Sequence, residues 1–260
     1  MGVAGKIYRP SSNSYSIGIT LVADLITRLP MKKLVWFFAK TVLFIVLISS
    51  LLVLSLRWYN PETTAFMVAN KRALKAGGAH HPAVRHQWVN YEDISPAMAL
   101  AVVASEDQLF PRHYGFDTKA IKKAYSDIKA GRDFRGASSI TQQTMKNMYL
   151  WRGQSMLRKG LEAWLTVLAE LYLSKRRILE IYLNIAQFDG NTFGVGAASS
   201  QFFAKPAANI SASEAALLAV ALPAPSRYRV EAPSEYMRER QNWVLNQMAH
   251  LGDSYLADLK

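Results

Sequence analysis

Ser95-Pro96-Ala97-Met98-Ala99-Leu100-Ala101-Val102-Val103-Ala104 runs without a break into Ser105-Glu106-Asp107-Gln108-Leu109-Phe110-Pro111-Arg112-His113-Tyr114-Gly115-Phe116-Asp117. The first half predicts an apolar helix, with Ser95 as N-cap and Pro96 at the first helical position, where a missing N–H does no harm. The second half places two carboxylates, Glu106 and Asp107, where that helix should stop. A helix C-terminus carries partial negative charge and normally attracts Lys or Arg, so acids there break a local rule. A carboxylate held beside apolar surface at such a point should have a raised pKa, as a general acid or base working near neutral pH requires. Local rules tend to be broken at functional sites. A surface Glu-Asp pair that merely opens a polar loop is the competing reading of the same residues.

Composition bounds what surrounds this stretch. A chain of 260 residues, half of them hydrophobic, can bury a real core, and one catalytic domain with an appendage suits its length. It contains no cysteine, which excludes a disulfide framework and any cysteine-based metal site. The five histidines, His80, His81, His86, His113 and His250, show no i, i+4 pair of the kind zinc hydrolases use. No metal-ligating residues are assigned, although carboxylates can recruit a hard cation. A formal charge of +12 implies an anionic partner: nucleic acid, an acidic membrane surface or a phosphorylated substrate.

Residues 1–33 are polar to mixed, with Lys6, Arg9, Arg28, Lys32 and Lys33 against Asp24, and read as a short cytoplasmic tail. From Leu34 to Leu56 the chain is apolar apart from Lys40, Thr41 and a few serines. At about 1.5 Å per residue this run reaches about the thickness of a bilayer core, so it predicts a transmembrane helix. A cleaved signal peptide fits less well, because the run is long and no small-x-small site precedes Arg57-Trp58-Tyr59. Lys32, Lys33 and Lys40 favour a cytoplasmic N-terminus, against which Arg57, Lys71, Arg72 and Lys75 count. Residues 57–87, with Asn60-Pro61, Gly77-Gly78 and His81-Pro82, read as a linker holding one short helix, and the domain proper follows over 88–260.

Beyond the opening stretch, Asp117 should cap a helix carrying Ala120, Ile121, Ala124, Tyr125 and Ile128 that ends at Gly131. Ser139 with Gln142 has the form of a capping box, and Gln143, Lys146 and Asn147 then make one polar stripe, which a solvated helix face would also produce. Leu157, Leu161, Trp164, Leu165, Leu168 and Tyr172 predict a core helix over 157–173, with Arg158, Lys159 and Glu162 on its other face. Ser174 can cap a helix through Asn184 whose first turn, Lys175-Arg176-Arg177, opposes the helix dipole and hints at use. Ser211 with Glu214, and Ser234, open two more helices. Alternating strand patterns are at most a few residues long, so the fold class is mainly α. Phe134, Met145, Met148 and Trp151 among Arg132, Arg135 and Arg152 have the composition of a surface that dips among anionic headgroups, with core packing as the alternative for the two methionines.

Taken together, these stretches resemble the peptidoglycan glycosyltransferase family, glycosyltransferase family 51. Glu106 through Phe110 with His113 and Gly115 is similar to its first motif, and Gly136-Ala137-Ser138-Ser139-Ile140-Thr141-Gln142-Gln143-Thr144-Met145-Lys146-Asn147 to its second. Arg158-Lys159-Gly160-Leu161-Glu162 resembles the third, Arg177 through Asn184 the fourth and Leu222-Pro223-Ala224-Pro225 the fifth. Ser139 stands where the family usually has Thr, and the Gly194-Val195-Gly196 segment is richer in glycine than usual, so no site residue is taken from it.

The resemblance implies a monofunctional, membrane-anchored transglycosylase with a lysozyme-like domain and a small membrane-facing jaw between the first two motifs. Such an enzyme polymerises lipid II, joining the donor MurNAc C1 to the acceptor GlcNAc 4-OH with inversion and release of undecaprenyl pyrophosphate. Carried onto this sequence, the catalytic residues are Glu106, as base, and Glu162. Asp107, His113, Ser138, Gln143, Lys146, Asn147, Arg158 and Lys159 are the substrate-binding candidates. No organic cofactor is implied, and a divalent cation, magnesium or manganese, could sit on the pyrophosphate. The implied partners are lipid II, the growing glycan strand, the membrane, and cell-division and cell-wall synthesis proteins, with no nucleic acid. The implied location is the bacterial inner membrane, crossed once, with the catalytic domain on its outer face. A lysozyme-like glycan hydrolase is the alternative, but it would not need cations around the second carboxylate. A tethered nucleic-acid binder would explain the charge, yet no helix-turn-helix, zinc-finger or aromatic-basic RNA motif is present.

Overall fold

A computed structural model describes residues 31–78, 83–131 and 138–259. The described residues divide into two compact units, 31–50 and 51–259. Helix α1 (Met31–Ser55) begins in the first unit, where its apolar side chains are exposed, and its most apolar stretch has a mean hydropathy of 2.5. It is long and apolar enough to cross a membrane.

The last turn of α1 belongs to the second unit. Val53 and Leu56 are buried there, and the Tyr149 hydroxyl donates to the Leu52 carbonyl at 2.9 Å. A helix end leaves carbonyls without intrahelical partners. Here Arg177 supplies donors just past it: Nε to the Leu56 carbonyl at 2.7 Å, and Nη2 to the Tyr59 carbonyl at 2.8 Å and Asn60 Oδ1 at 2.7 Å. Helix α2 (Ala65–Ala76) follows, capped by Thr64, whose hydroxyl accepts from Met67 N at 3.1 Å.

Helix α3 (Pro96–Glu106) is the centre of the unit: Met98 through Ala104 are all buried, as a helix apolar all round must be. Its side chain at Ser95 does not cap it; the hydroxyl donates to the Ile210 carbonyl at 2.9 Å, tying the helix start to a distant loop. Helix α4 (Thr118–Lys129) starts as expected, with Asp117 accepting from Ala120 N at 2.9 Å, and leaves Ile121 and Tyr125 exposed. Helices α5 (Ile140–Tyr149), α6 (Met156–Tyr172) and α7 (Lys175–Ile185) pack together, and α2 packs on α5. After α8 (Val195–Phe203), helices α9 (Ala212–Ala221) and α10 (Glu235–Leu251) close on α3, the small side chains of α9 allowing close approach. Among the described residues the only sheet is a two-residue parallel pair, β1 (Arg85–His86) with β2 (Thr192–Phe193).

Asn184 fixes the link between these parts. Buried on α7, it accepts from Val89 N at 2.8 Å and donates to the Val89 carbonyl at 2.8 Å. Gly194 lies against the same residue: a Cβ there would meet the Asn184 carbonyl oxygen at 2.4 Å, and its φ of +80° belongs to glycine. The glycine-rich segment is thus a packing requirement.

Three further expectations change. Leu157, Leu161 and Trp164 do not enter the core but are exposed with Met156 and Leu171, while Leu165 and Leu168 are buried; the helical stripe is real, but the protein covers only its C-terminal part. Met145 and Met148 are core residues and present nothing to a membrane, whereas Trp151 is about half exposed; Phe134, Arg132 and Arg135 lie outside the described residues. The basic first turn of α7 serves the scaffold, pairing Lys175 with Glu170, Arg176 with Glu92 and Arg177 with Glu180.

Candidate active site

The two adjacent carboxylates at the end of α3 face different surroundings. Asp107, buried, accepts from His113 Nε2 at 2.8 and 3.0 Å and from Ile140 N at 3.0 Å. It therefore sits on the positive end of α5 and binds that helix to α3. The expected capping box reinforces the joint: Ser139 Oγ accepts from Gln142 N, the Gln142 side chain accepts from Ser139 N, and Ser139 Oγ donates to the Gly115 carbonyl at 2.5 Å. Asp107 and His113 stand behind the site and hold its two walls in register.

Glu106 faces the cleft. Gln143 Nε2 donates to its Oε2 at 2.8 Å, and the Tyr182 hydroxyl donates to Gln143 Oε1 at 3.1 Å. Burial pushes the Tyr182 hydroxyl well above its ordinary value, so it remains a donor and fixes which end of the Gln143 amide meets the carboxylate. Burial also raises the Glu106 pKa, against the lowering effects of the Gln143 bond, Lys146 and Arg240, while Asp107 adds to the rise. The direction expected from the sequence is present, and its main cause is desolvation.

A second carboxylate gathers cations. Glu162 is 2% exposed and accepts from Lys159 Nζ at 2.5 Å and Arg158 Nη1 at 3.4 Å, and Lys159 also donates to Ser138 Oγ at 3.3 Å. Arg158 Nε is buried without a hydrogen-bond partner. Lys146 feels the same group: burial lowers its pKa first, Glu162 and Glu106 raise it, and Arg158 and Lys159 lower it further. Three cations thus share one buried carboxylate, an arrangement suited to an incoming anion.

Two cavities meet at Gln143 and Pro223. One, of about 330 Å³, is lined by Ser105, Glu106, Ser138, Tyr228, Tyr236 and Arg240. The other, of about 270 Å³, is lined by Phe66, Lys146, Asn147, Arg152, Tyr182 and Gln187. The polar stripe of Gln143, Lys146 and Asn147 is therefore a cleft wall, not a solvated face. The sequence did not single out Arg240, Tyr236 or Tyr228 as site residues; Tyr236 and Arg240 are four apart on α10, which placed them on one face, but nothing local showed which.

Residues 74–249 match the family described as Transglycosylase. The chain is 50% identical over 198 residues to a biosynthetic peptidoglycan transglycosylase of Cronobacter sakazakii, which covers 76% of this chain and 82% of that protein. It is 52% identical over 190 residues to that of Klebsiella oxytoca, covering 73% and 78%, and 49% identical over 210 residues to that of Haemophilus influenzae, covering 80% and 85%.

Proposed function

We propose that this chain, which belongs to the transglycosylase family, polymerises lipid-linked disaccharide units into the glycan strands of peptidoglycan, with lipid II as substrate. The observation that carries this reading is a half-buried base, Glu106, lining the cleft, beside a cationic cluster around Glu162 that adjoins the cleft wall through Ser138 and Lys146. Glu106 takes the proton from the acceptor 4-hydroxyl as its oxygen attacks donor C1. The bond from C1 to the pyrophosphate breaks in the same displacement, so C1 inverts and no enzyme-bound sugar is needed. Negative charge gathers on the departing pyrophosphate, where Lys146, Arg158 and Lys159 stabilise it. Glu162 holds Arg158 and Lys159 in place. Gln143 orients Glu106, and Ser138 and Asn147 offer hydrogen bonds to the sugars.

A resident divalent cation fits this donor set poorly. Both oxygens of Glu162 are engaged by cationic side chains, and among the described residues no group of three His, Asp or Glu could hold a metal. A hydrolase would have little use for three cations around the second carboxylate.

Because substrate and product are lipids, α1 serves as a membrane anchor, with residues 57–260 on the outer face of the inner membrane. A reporter fused after Lys260 that is active only in the cytoplasm should stay dark; a bright one contradicts this topology. Purified full-length protein given labelled lipid II should form long glycan polymers and leave finished peptidoglycan intact. Digestion of peptidoglycan without polymer formation would overturn the reading.

A further inference from the structure

The segment between α1 and residue 74 precedes the family match, yet it places a side chain in the cleft. Phe66 lies in the first turn of α2 and lines the cavity that also contains Lys146 and Arg152. Helix α2 is firmly held: Met67 is buried, and Asn70 Nδ2 donates to the Gly190 carbonyl at 2.6 Å. Phe66 itself is half-buried, packed on the core on one side and open to the cavity on the other. Lys146 Nζ stands 5.9 Å and Arg152 Cζ 5.2 Å from its ring centroid. Arg152 Nη2 donates to Gln187 Oε1 at 2.8 Å, which keeps the guanidinium at the cavity edge.

The helix that carries Lys146 also reaches the last turn of α1. Helix α5, which carries Lys146, ends at Tyr149, whose hydroxyl meets the Leu52 carbonyl. A polyprenyl pyrophosphate is an anion joined to a hydrocarbon, so its site needs cations next to an apolar surface. Phe66 with Pro223 and Pro225 gives the surface, and Lys146 with Arg152 the charge.

We propose that Phe66 is a substrate-contact residue whose ring receives the isoprene unit nearest the phosphates, with Arg152 as a further cation for the adjoining phosphate. The proposal rests on the polymerase reading and extends it to a segment outside the family match.

The test places photoreactive benzoylphenylalanine at position 66, or separately at Tyr236 in the Glu106 cavity, in the full-length protein, and irradiates each with radiolabelled lipid II. Position 66 should form an adduct that excess undecaprenyl pyrophosphate suppresses and a lipid-free disaccharide pentapeptide does not. Labelling at 236 alone overturns the proposal and leaves the polymerase reading standing; labelling at neither overturns both. In steady state, Phe66→Leu and Arg152→Gln should each raise KM for lipid II by about tenfold, with kcat changed less and thermal midpoints near wild type. Unchanged KM in both variants, or suppression by the disaccharide alone, also overturns it.

Discussion

Replacing Glu106 by Gln removes the proposed base and keeps an oxygen to accept the 2.8 Å bond from Gln143 Nε2. Positioned general bases contribute about 10²–10⁴-fold, so polymerisation should fall by that factor, or about 2.7–5.5 kcal/mol of transition-state stabilisation. Stability should move the other way. Burial raises the Glu106 pKa in the folded protein, so between the unfolded and folded values the native state holds a proton that the unfolded chain has released. The contribution of this group to stability is therefore full below the unfolded pKa and is lost as pH rises through the folded one. Gln suffers no such loss. In a domain of roughly 200 residues each kcal/mol so lost lowers Tm by about 2–4 °C. The variant should match wild type in Tm at pH 4 and exceed it at pH 8, while gel analysis of labelled glycan shows little polymer. A Glu106→Gln protein that polymerises within tenfold of wild type and gains no stability at pH 8 would refute the assignment.

Glu162→Gln should cost about 10²-fold in kcat, because Lys159 and Arg158 lose the group that aims them, with lipid II binding kept or tightened as the cluster becomes more positive; an unchanged kcat would leave Glu162 without a catalytic part. Lys146→Met removes a buried cation whose pKa burial lowers, and should abolish polymerisation with Tm equal or higher, as melting followed by circular dichroism would show; loss of Tm alongside activity would make Lys146 a scaffold residue. Gly194→Ala brings a Cβ to 2.4 Å from the Asn184 carbonyl oxygen at a φ of +80°, and should destabilise by about 2–6 kcal/mol in denaturant titration; a midpoint within error of wild type would mean that the joint yields.

What the sequence made legible was local. The capping boxes at Ser139 and Ser211 and the caps at Ser174 and Ser234 involve residues three apart, so the helix starts follow directly. The polarity of Gln143, Lys146 and Asn147 was visible too, but whether they faced solvent or a cleft depended on α3 and α10, far away in the chain. Periodicity on α6 marked an apolar stripe without saying what covers it, and Leu157 and Trp164 proved exposed. Glu106 and Asp107 are alike in sequence; what separates them is that the N-terminus of α5, thirty-odd residues on, lands on Asp107 alone. Arg240 carries no local sign, since its meaning comes only from the position of α10 against α3.

The same desolvation acts on base and cation in opposite senses. It raises the Glu106 pKa and lowers that of Lys146, drawing both toward their neutral forms, and each partly offsets the shift of the other. An anion entering the cleft changes this balance in one direction for both groups. Phosphate charge near Lys146 favours the ammonium form, and it disfavours the carboxylate at Glu106, which becomes the stronger proton acceptor when the acceptor hydroxyl is in place. Under the proposed chemistry the leaving group thus tunes the residues that expel it. This also accounts for the excess of cations around Glu162: the charge that balances them arrives with the substrate, and a cluster already neutral within the protein would have less to give the departing pyrophosphate.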